Sequence, residues 1–279
     1  MRLSAPAKLN LCLYLGPRRE DGLHELCSLF EPLALADVIA VSEAEEDEVV
    51  CPGVEGENLA ARALAALREH GWTRSPLRIE IEKRTPVAAG LGGGSADAAA
   101  VLRLAAEEVA DLEEIALELG ADVPSQLNPL LALVQGAGEE VEPLPDPVSH
   151  AVLLLPDGGG LGTAEVFAEA DRLGLGRPAE ELDALAGRLR AVAGAGASPL
   201  SYPELLVNDL EPAALSLRPA IGDALESLRA AGASPALMTG SGPTAFGVFE
   251  DLASARAATA ELDRDDGIVC EAGSAEGLV

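Results

Sequence analysis

The stretch Pro86-Val87-Ala88-Ala89-Gly90-Leu91-Gly92-Gly93-Gly94-Ser95-Ala96-Asp97-Ala98 places four glycines within five positions, directly ahead of an Ala/Leu-rich run. Without Cβ atoms the backbone can turn its N–H groups inward. The helix predicted from about Ser95 to Val109 adds unpaired amides and the positive end of its dipole. Together they make a seat for phosphate. Ser95 can cap the helix and offer its hydroxyl to a phosphate or a metal ion. An isolated glycine cluster is more often a ligand-free turn, so the common nucleotide motifs have to be tested against it. A dinucleotide G-x-G-x-x-G fails because Ser95 stands at the third glycine, and the Walker pattern fails because no Lys precedes the Ser.

The rest of the chain limits what surrounds this loop. Its 279 residues suit one large domain or two modest ones, and 48% hydrophobic content with 24% charged residues excludes wholesale disorder. The net charge of −28 lacks the basic footprint of a nucleic-acid grip. No apolar run reaches the roughly 18 residues of a membrane span, and Met1–Asn10 has no signal-peptide core. A soluble, cytoplasmic protein with no nucleic-acid or membrane partner is the expectation. Lys8 and Lys83 are the only lysines. Cys12, Cys27, Cys51 and Cys270 show no CxxC spacing and read as free thiols, while His24, His70 and His150 lie too far apart for a HExxH-type metal site.

Alternating apolar residues from Ala5 to Leu15 predict a half-buried strand. After the turn Gly16–Gly22, strands follow at Leu26–Leu33, Asp37–Val41 and Glu48–Cys51, the last two around the acidic turn Glu43–Glu48. Asn58 caps a helix over Leu59–Glu69 that Gly71 stops, and Leu77, Ile79 and Ile81 mark another strand. Further helices are predicted at Leu112–Leu119, Thr163–Leu173, Ala179–Ala193, Pro203–Leu217 and Pro219–Ala231. Further strands fall at Leu130–Val134, Ala151–Leu155, Leu237–Thr239, Thr244–Glu250 and Ile268–Glu271. Without a strict βαβ rhythm this is an α+β chain of mixed and antiparallel sheets packed with helices. The proline-rich Glu142–Pro147 divides it into domains at 1–145 and 146–279.

Gly90–Asp97 resembles the phosphate loop of the GHMP small-molecule kinases, and three other segments resemble family motifs in the same order. These are Pro6-Ala7-Lys8-Leu9-Asn10-Leu11, Gly120-Ala121-Asp122-Val123-Pro124 and Thr239-Gly240-Ser241-Gly242-Pro243-Thr244. Asp21-Gly22-Leu23-His24-Glu25-Leu26 and Asn208-Asp209-Leu210-Glu211 resemble motifs of a single branch. That branch phosphorylates a cytidine diphosphate sugar alcohol of the non-mevalonate isoprenoid pathway. The resemblance implies two small-molecule substrates, ATP and that sugar alcohol, with Mg²⁺ carried on ATP and a site in the cleft between two domains. Other readings of the same loop are a mevalonate- or homoserine-type kinase and a non-catalytic nucleotide-binding relative. The Asp21–Leu26 segment speaks against the first, and intact Lys8, Gly90–Ser95 and Asp122 speak against the second.

The resemblance implies that Asp122 takes the proton from the substrate hydroxyl; on local sequence alone it is equally a turn residue before Val-Pro. Lys8 inside an alternating strand is costly unless it is paired or sits at an edge, and beside Asp122 it would steady the reacting charge. Asn10, two residues on, shares its strand face. The resemblance further places the ATP phosphates on Pro86–Ala96, Lys83 and Asn58 near its base and ribose, His24 on the cytosine, and Phe167, after Thr163, in a stack on that base. Asn58 already has the capping role, Lys83 could be a solvated strand-end residue, and Phe167 could be a core residue. No protein ligand for Mg²⁺ follows beyond Ser95 as first candidate. Two residues depart from the family pattern: Leu23 stands where a Tyr usually precedes the His, and Ala96 where many members carry a second Ser. The Gly94–Gly120 stretch is also shorter than usual.

Overall fold

The computed structural model describes residues 1–54, 56, 58–262 and 264–272. The N-terminal alternation builds two long antiparallel strands, β1 (Arg2–Arg18) and β2 (His24–Glu43). β2 runs unbroken through the two shorter strands expected there. Pro6 and Pro32 both fall beside a shift in register between Pro6 and Lys8, where a missing amide costs the ladder little. Nor is β1 half-buried: residues 5–16 are buried on both faces, because helices and the second half of the chain pack around it.

β3 (Glu48–Val50), α1 (Leu59–Glu69) and β4 (Leu77–Glu82) follow as expected. Helix α2 (Gly93–Leu102) starts two residues before Ser95, and its cap is Gly92, in the left-handed conformation, not Ser95. It ends early in a 3-10 turn at Arg103–Ala105. There the Arg103 guanidinium donates to the carbonyls of Gln126 at 2.8 Å and Ser4 at 2.7 Å.

α3 (Leu112–Leu119) is followed by the one-turn α4 (Val123–Leu127), which periodicity cannot reveal at that length. β5 (Ala132–Gln135) pairs with β6 (Glu140–Pro143), so the proline-rich segment read as a boundary begins as a strand. Beyond β7 (His150–Leu155), α5 (Thr163–Leu173) and α6 (Ala179–Ala193) lies the helix expected over Pro203–Leu217. It is divided into a 3-10 turn at Pro203–Leu205 and α7 (Glu211–Leu217). Between them Asn208 bridges to Leu13 of β1. α8 (Ala220–Ala230), β8 (Ala236–Met238), β9 (Ala245–Phe249), α9 (Leu252–Glu261) and β10 (Ile268–Ala272) complete the described chain. The sequence reading passed over α9, whose N-cap Asp251 accepts from the Ser254 amide at 2.7 Å.

The strands form one sheet in the order β3-β4-β2-β10-β7-β9-β8, with β1 and β5 also on β2. Only β3–β4 is parallel among the described pairs. The two halves of the sheet meet where Leu33 pairs with Ala272. Helices α1–α3 bury their apolar faces with β4 in one core cluster, and α5, α7, α8 and α9 do so with β7–β9 in another. No helix among the described residues is long and apolar enough to cross a membrane.

Two contacts draw the glycine segments of the halves together around β1. The Lys8 amide donates to the Leu91 carbonyl at 2.9 Å, and the Asn10 amide donates to Thr239 Oγ1 at 2.9 Å. Gly90 then sits so close that a Cβ there would lie 2.8 Å from the Gly242 carbonyl oxygen and 3.0 Å from that of Thr239. Its φ of +75° is left-handed as well. Gly90→Ala should cost roughly 1–3 kcal/mol from the backbone conformation alone, with the clash in addition, seen as a lower thermal midpoint. A variant that melts with the wild type would show that the two segments do not touch.

Candidate active site

β1 is irregular where its chemistry lies: its register to β2 shifts between Pro6 and Lys8 and again between Asn10 and Cys12. Such bulges re-aim side chains. Lys8 and Asn10 point together, and Lys8 Nζ donates to Asn10 Oδ1 at 2.5 Å and lies 3.3 Å from Asp122 Oδ2. The Phe30 ring faces the same ammonium at 4.4 Å, a cation–π contact in a site where Lys8 is only 4% exposed. Lys8 is therefore a buried, paired charge, and the reading of it as an edge-strand surface residue is excluded. Asn10 is held in turn, donating from Nδ2 to Ser28 Oγ at 2.9 Å, while Ser28 Oγ donates to the Cys12 carbonyl at 2.6 Å. Asp122 occupies the N-cap position of α4 but makes no capping bond. Its side chain, 36% exposed, turns to Lys8 instead.

The glycine loop walls a cavity of about 470 Å³ lined by Pro86–Ser95 together with Asn58, Lys83, Asp97 and Thr163. Ala96 faces the core instead. In α2 the first helical amides have no partner within the helix, the arrangement that seats an anion. Ala88 holds a left-handed φ of +56° within the loop, a strained conformation for a residue with a Cβ. Asn58 keeps its capping bond, Oδ1 accepting from the Ala60 amide at 2.8 Å. Lys83 is no solvated strand end: it is bonded to Asp37 and, at 2.9 Å, to Asp97 Oδ2. Burial opposes its charge, yet the two carboxylates outweigh burial and hold its pKa above the ordinary lysine value. Burial pushes Asp97 up to about 7 against the pull of Lys83, with Asp37 adding to the rise. Asp97 Oδ1 and Thr85 Oγ1 are buried without a hydrogen-bond partner.

On the far side of the loop lies a second cavity, of about 730 Å³, whose lining includes Lys8, Asn10, Asp122, His24, Phe30, Phe167 and Asp171. Gly90, Gly92 and Thr163 line both spaces, so the loop is the wall between them. Thr163 Oγ1 and Ser241 Oγ lie 3.0 Å apart across the cleft. His24 and Phe167 pack ring to ring at 5.4 Å and 37°, and His24 Nε2 meets Asp171 Oδ1 at 2.7 Å. The two branch-specific segments behave differently: Asp21–Leu26 borders this cavity, whereas Asn208 braces the C-terminal glycine segment. Its Nδ2 donates to the carbonyls of Met238 at 2.7 Å and Gly240 at 2.8 Å.

Sequence reasoning missed Phe30, Asp171, Asp37 and Asp97 as members of the site. Asp171 could have been found, since it follows Phe167 by one helical turn. Phe30 could not, because its approach to Lys8 depends on the bulged register. The four cysteines form no disulfide, and burial pushes Cys27 and Cys270 up to about 12. Among the described residues no group of three or more His, Cys, Asp or Glu is placed to hold a metal ion.

Family models for the N-terminal and C-terminal domains of GHMP kinases match residues 58–128 and 196–268. The chain belongs to the GHMP kinases and is an ATP-dependent small-molecule kinase. It is 40% identical over 98% of its length to the 4-diphosphocytidyl-2-C-methyl-D-erythritol kinase of Thermobifida fusca (strain YX), covering 94% of that protein. With the kinase of the same name from Anaeromyxobacter dehalogenans (strain 2CP-C) the identity is 42%, covering 91% of this chain and 82% of the relative. A crystal structure of 4-(cytidine 5'-diphospho)-2C-methyl-D-erythritol kinase matches with a TM-score of 0.81 at 35% identity, over 98% of this chain and 100% of that one. A homoserine kinase from Cytophaga hutchinsonii, 19% identical with a TM-score of 0.73, covers 97% of this chain and 94% of its own and shares the fold.

The buried carboxyl of Asp97 gives a pH test of this arrangement. A carboxyl with a raised folded-state pKa binds its proton more tightly folded than unfolded, so its contribution to stability falls as pH rises between the two values. Those values are about 4 unfolded and about 7 folded. Asp97→Asn lacks this loss. Its unfolding free energy relative to the wild type should therefore climb as pH rises from about 4 to about 7 and stay level above. Denaturant titrations that show a pH-independent difference would mean Asp97 titrates normally in the folded protein.

Proposed function

We propose that this chain transfers the γ-phosphoryl group of ATP to the 2-hydroxyl of 4-diphosphocytidyl-2-C-methyl-D-erythritol, in the non-mevalonate isoprenoid pathway and in the cytoplasm. The observation that carries the reading is the Lys8–Asp122 pair on the substrate side of a glycine loop that a second cavity flanks. Phosphoryl transfer needs positioning and charge stabilisation more than covalent chemistry. ATP enters the loop cavity along Pro86–Ser95, with its phosphates on the amides of Val87–Ser95 and its nucleoside near Asn58 and Lys83; the Ala96 amide is taken up by the Gly92 carbonyl at 2.9 Å. The sugar alcohol enters the second cavity, held by Asn10 and Thr163, with its cytosine on His24 and Phe167. Asp122 receives the hydroxyl proton, and Lys8 balances the charge that develops as the bond forms. The relatives' shared name and the match of Asp21–Leu26 to one branch support the choice of acceptor. The division of the chain at 145/146, with the cleft between the halves, belongs to the same reading.

Mg²⁺ is part of the proposal. The Ser95 hydroxyl makes no hydrogen bond among the described residues, and with no multidentate acidic cluster there, the site suits an ion that keeps most of its waters and rides on the phosphates. Mg²⁺ bound there would neutralise phosphate charge, and the Ser95 hydroxyl is the first candidate to hold it.

ATP consumption with the cytidine substrate, mevalonate and homoserine offered in turn separates the candidate reactions. Turnover with the first alone is expected, and turnover with neither it nor the others would leave a nucleotide-binding relative. Asp122→Asn should lose roughly 100- to 10,000-fold in kcat while its affinity for ATP holds; full activity would remove Asp122 as the base. Leu23, exposed on the rim of the second cavity, leaves one face of the base uncovered. Since stacking on an aromatic is worth roughly 1–3 kcal/mol per base, Leu23→Tyr should lower KM for the cytidine substrate, and an unchanged KM would refute the stacking argument.

A further inference from the structure

His24 reaches the second cavity from the first residue of β2, and two residues of α5 hold it there. Phe167 packs on the ring, and Asp171, one turn later on the same helix face, meets Nε2 at 2.7 Å. The His24 side chain is 7% exposed, so the ring has little room to turn. Asp171 has no other ion partner among the described residues. Its neighbour Arg172 is taken up by Glu169 at 2.6 Å, and Arg18, across the strand pair from His24, donates to the Gly22 carbonyl at 3.2 Å. His24 Nδ1 has no protein partner among the described residues.

A carboxylate only accepts hydrogen bonds, so Nε2 must carry the proton that lies between it and Asp171. In a neutral imidazole the other nitrogen is then an acceptor. The exocyclic amino group of cytosine is a donor, whereas the same position of uracil is a carbonyl oxygen. We propose that Asp171 is a positioning residue that locks His24 with its proton on Nε2, so that Nδ1 accepts from the cytosine amino group and rejects uracil. The assignment rests on the reading of this cavity as the cytidine site and gives that site its base selectivity. It also explains why an exposed acid is kept beside a nearly buried ring in a chain already rich in acids.

An asparagine at 171 can turn either its oxygen or its NH₂ toward Nε2, so the lock is lost while size is kept. The experiment compares kcat/KM for the cytidine diphosphate sugar alcohol and its uridine counterpart in the wild type, Asp171→Asn and His24→Ala. Nitrogen NMR of His24 in the wild type and Asp171→Asn reports which ring nitrogen is protonated. The wild type should favour cytidine and show the proton on Nε2. In Asp171→Asn the cytidine-to-uridine ratio should fall by roughly tenfold or more, the loss lying in KM for the cytidine substrate, with KM for ATP as the check on folding. If Asp171→Asn keeps the wild-type ratio, or wild-type His24 is protonated on Nδ1, the assignment to Asp171 is overturned while the cytidine reading stands. If the wild type does not discriminate, or His24→Ala discriminates as well as the wild type, the cytidine reading itself falls and the lock with it.

Discussion

A buried ammonium organises this molecule. Taking Lys8 out of water costs several kcal/mol unless its protons find acceptors, and the strand that carries it offers none on that face but Asn10. The remaining compensation comes from elsewhere in the chain: the Asp122 carboxylate from the start of α4, and the face of Phe30 from β2. Its aliphatic stem is covered by Gly92, where a Cβ would come within 2.9 Å of Lys8 Cγ. The same contacts that make the charge tolerable therefore gather the Asp122 carboxylate, the glycine loop and the second cavity around one strand. Pre-organisation of this kind needs no rearrangement at the moment of reaction.

The chain's charge of −28 opposes the approach of an anion such as ATP. Two facts resolve this. At physiological salt the screening length is about 8 Å, so carboxylates on the outer helices barely reach the cleft. Within the cleft, Lys83 does not act as a free cation, since Asp37 and Asp97 already balance it. In the proposed reading the positive field met by phosphate is made by loop amides and by Lys8, and amides carry no counter-ion that must be displaced. A strongly acidic surface and a phosphate-binding interior are compatible because they work at different ranges.

How much of this could be read beforehand depends on the range of the interaction. Local signals were legible: the cap at Asn58, the stop at Gly71, most helices, and the glycine loop that leads into α2. What failed involved contact across the chain. The break of the Pro203–Leu217 helix is caused by Asn208 pairing with Leu13, two positions far apart in sequence. Ser95 loses the cap because Gly92, held over Lys8, starts the helix first. The two-sided burial of β1 is likewise invisible in its alternating pattern, which resembles that of a strand with one face in water. In the site, Lys8, Asn10 and Asp122 came from motifs and do meet, while Phe30 and Asp171 are there only because bulges and a helix face bring them in.

The glycine loop shows the same limit from the other side. Its four glycines read alike in sequence, as room for phosphate, but in the structure they serve different needs. Gly90 makes way for the carbonyls of Thr239 and Gly242, Gly92 for the Lys8 stem, and Gly93 for Thr85, whose Cγ2 would lie 2.9 Å from a Cβ. Gly94 meets nothing nearer than Leu59 Cδ1 at 3.6 Å, an ordinary contact. Three of the four are required by the protein's own packing, so a glycine-rich loop is evidence of crowding before it is evidence of a ligand. The proposal of phosphate at this loop therefore rests on Gly94, the position that packing leaves free, and on the helix amides that begin beside it.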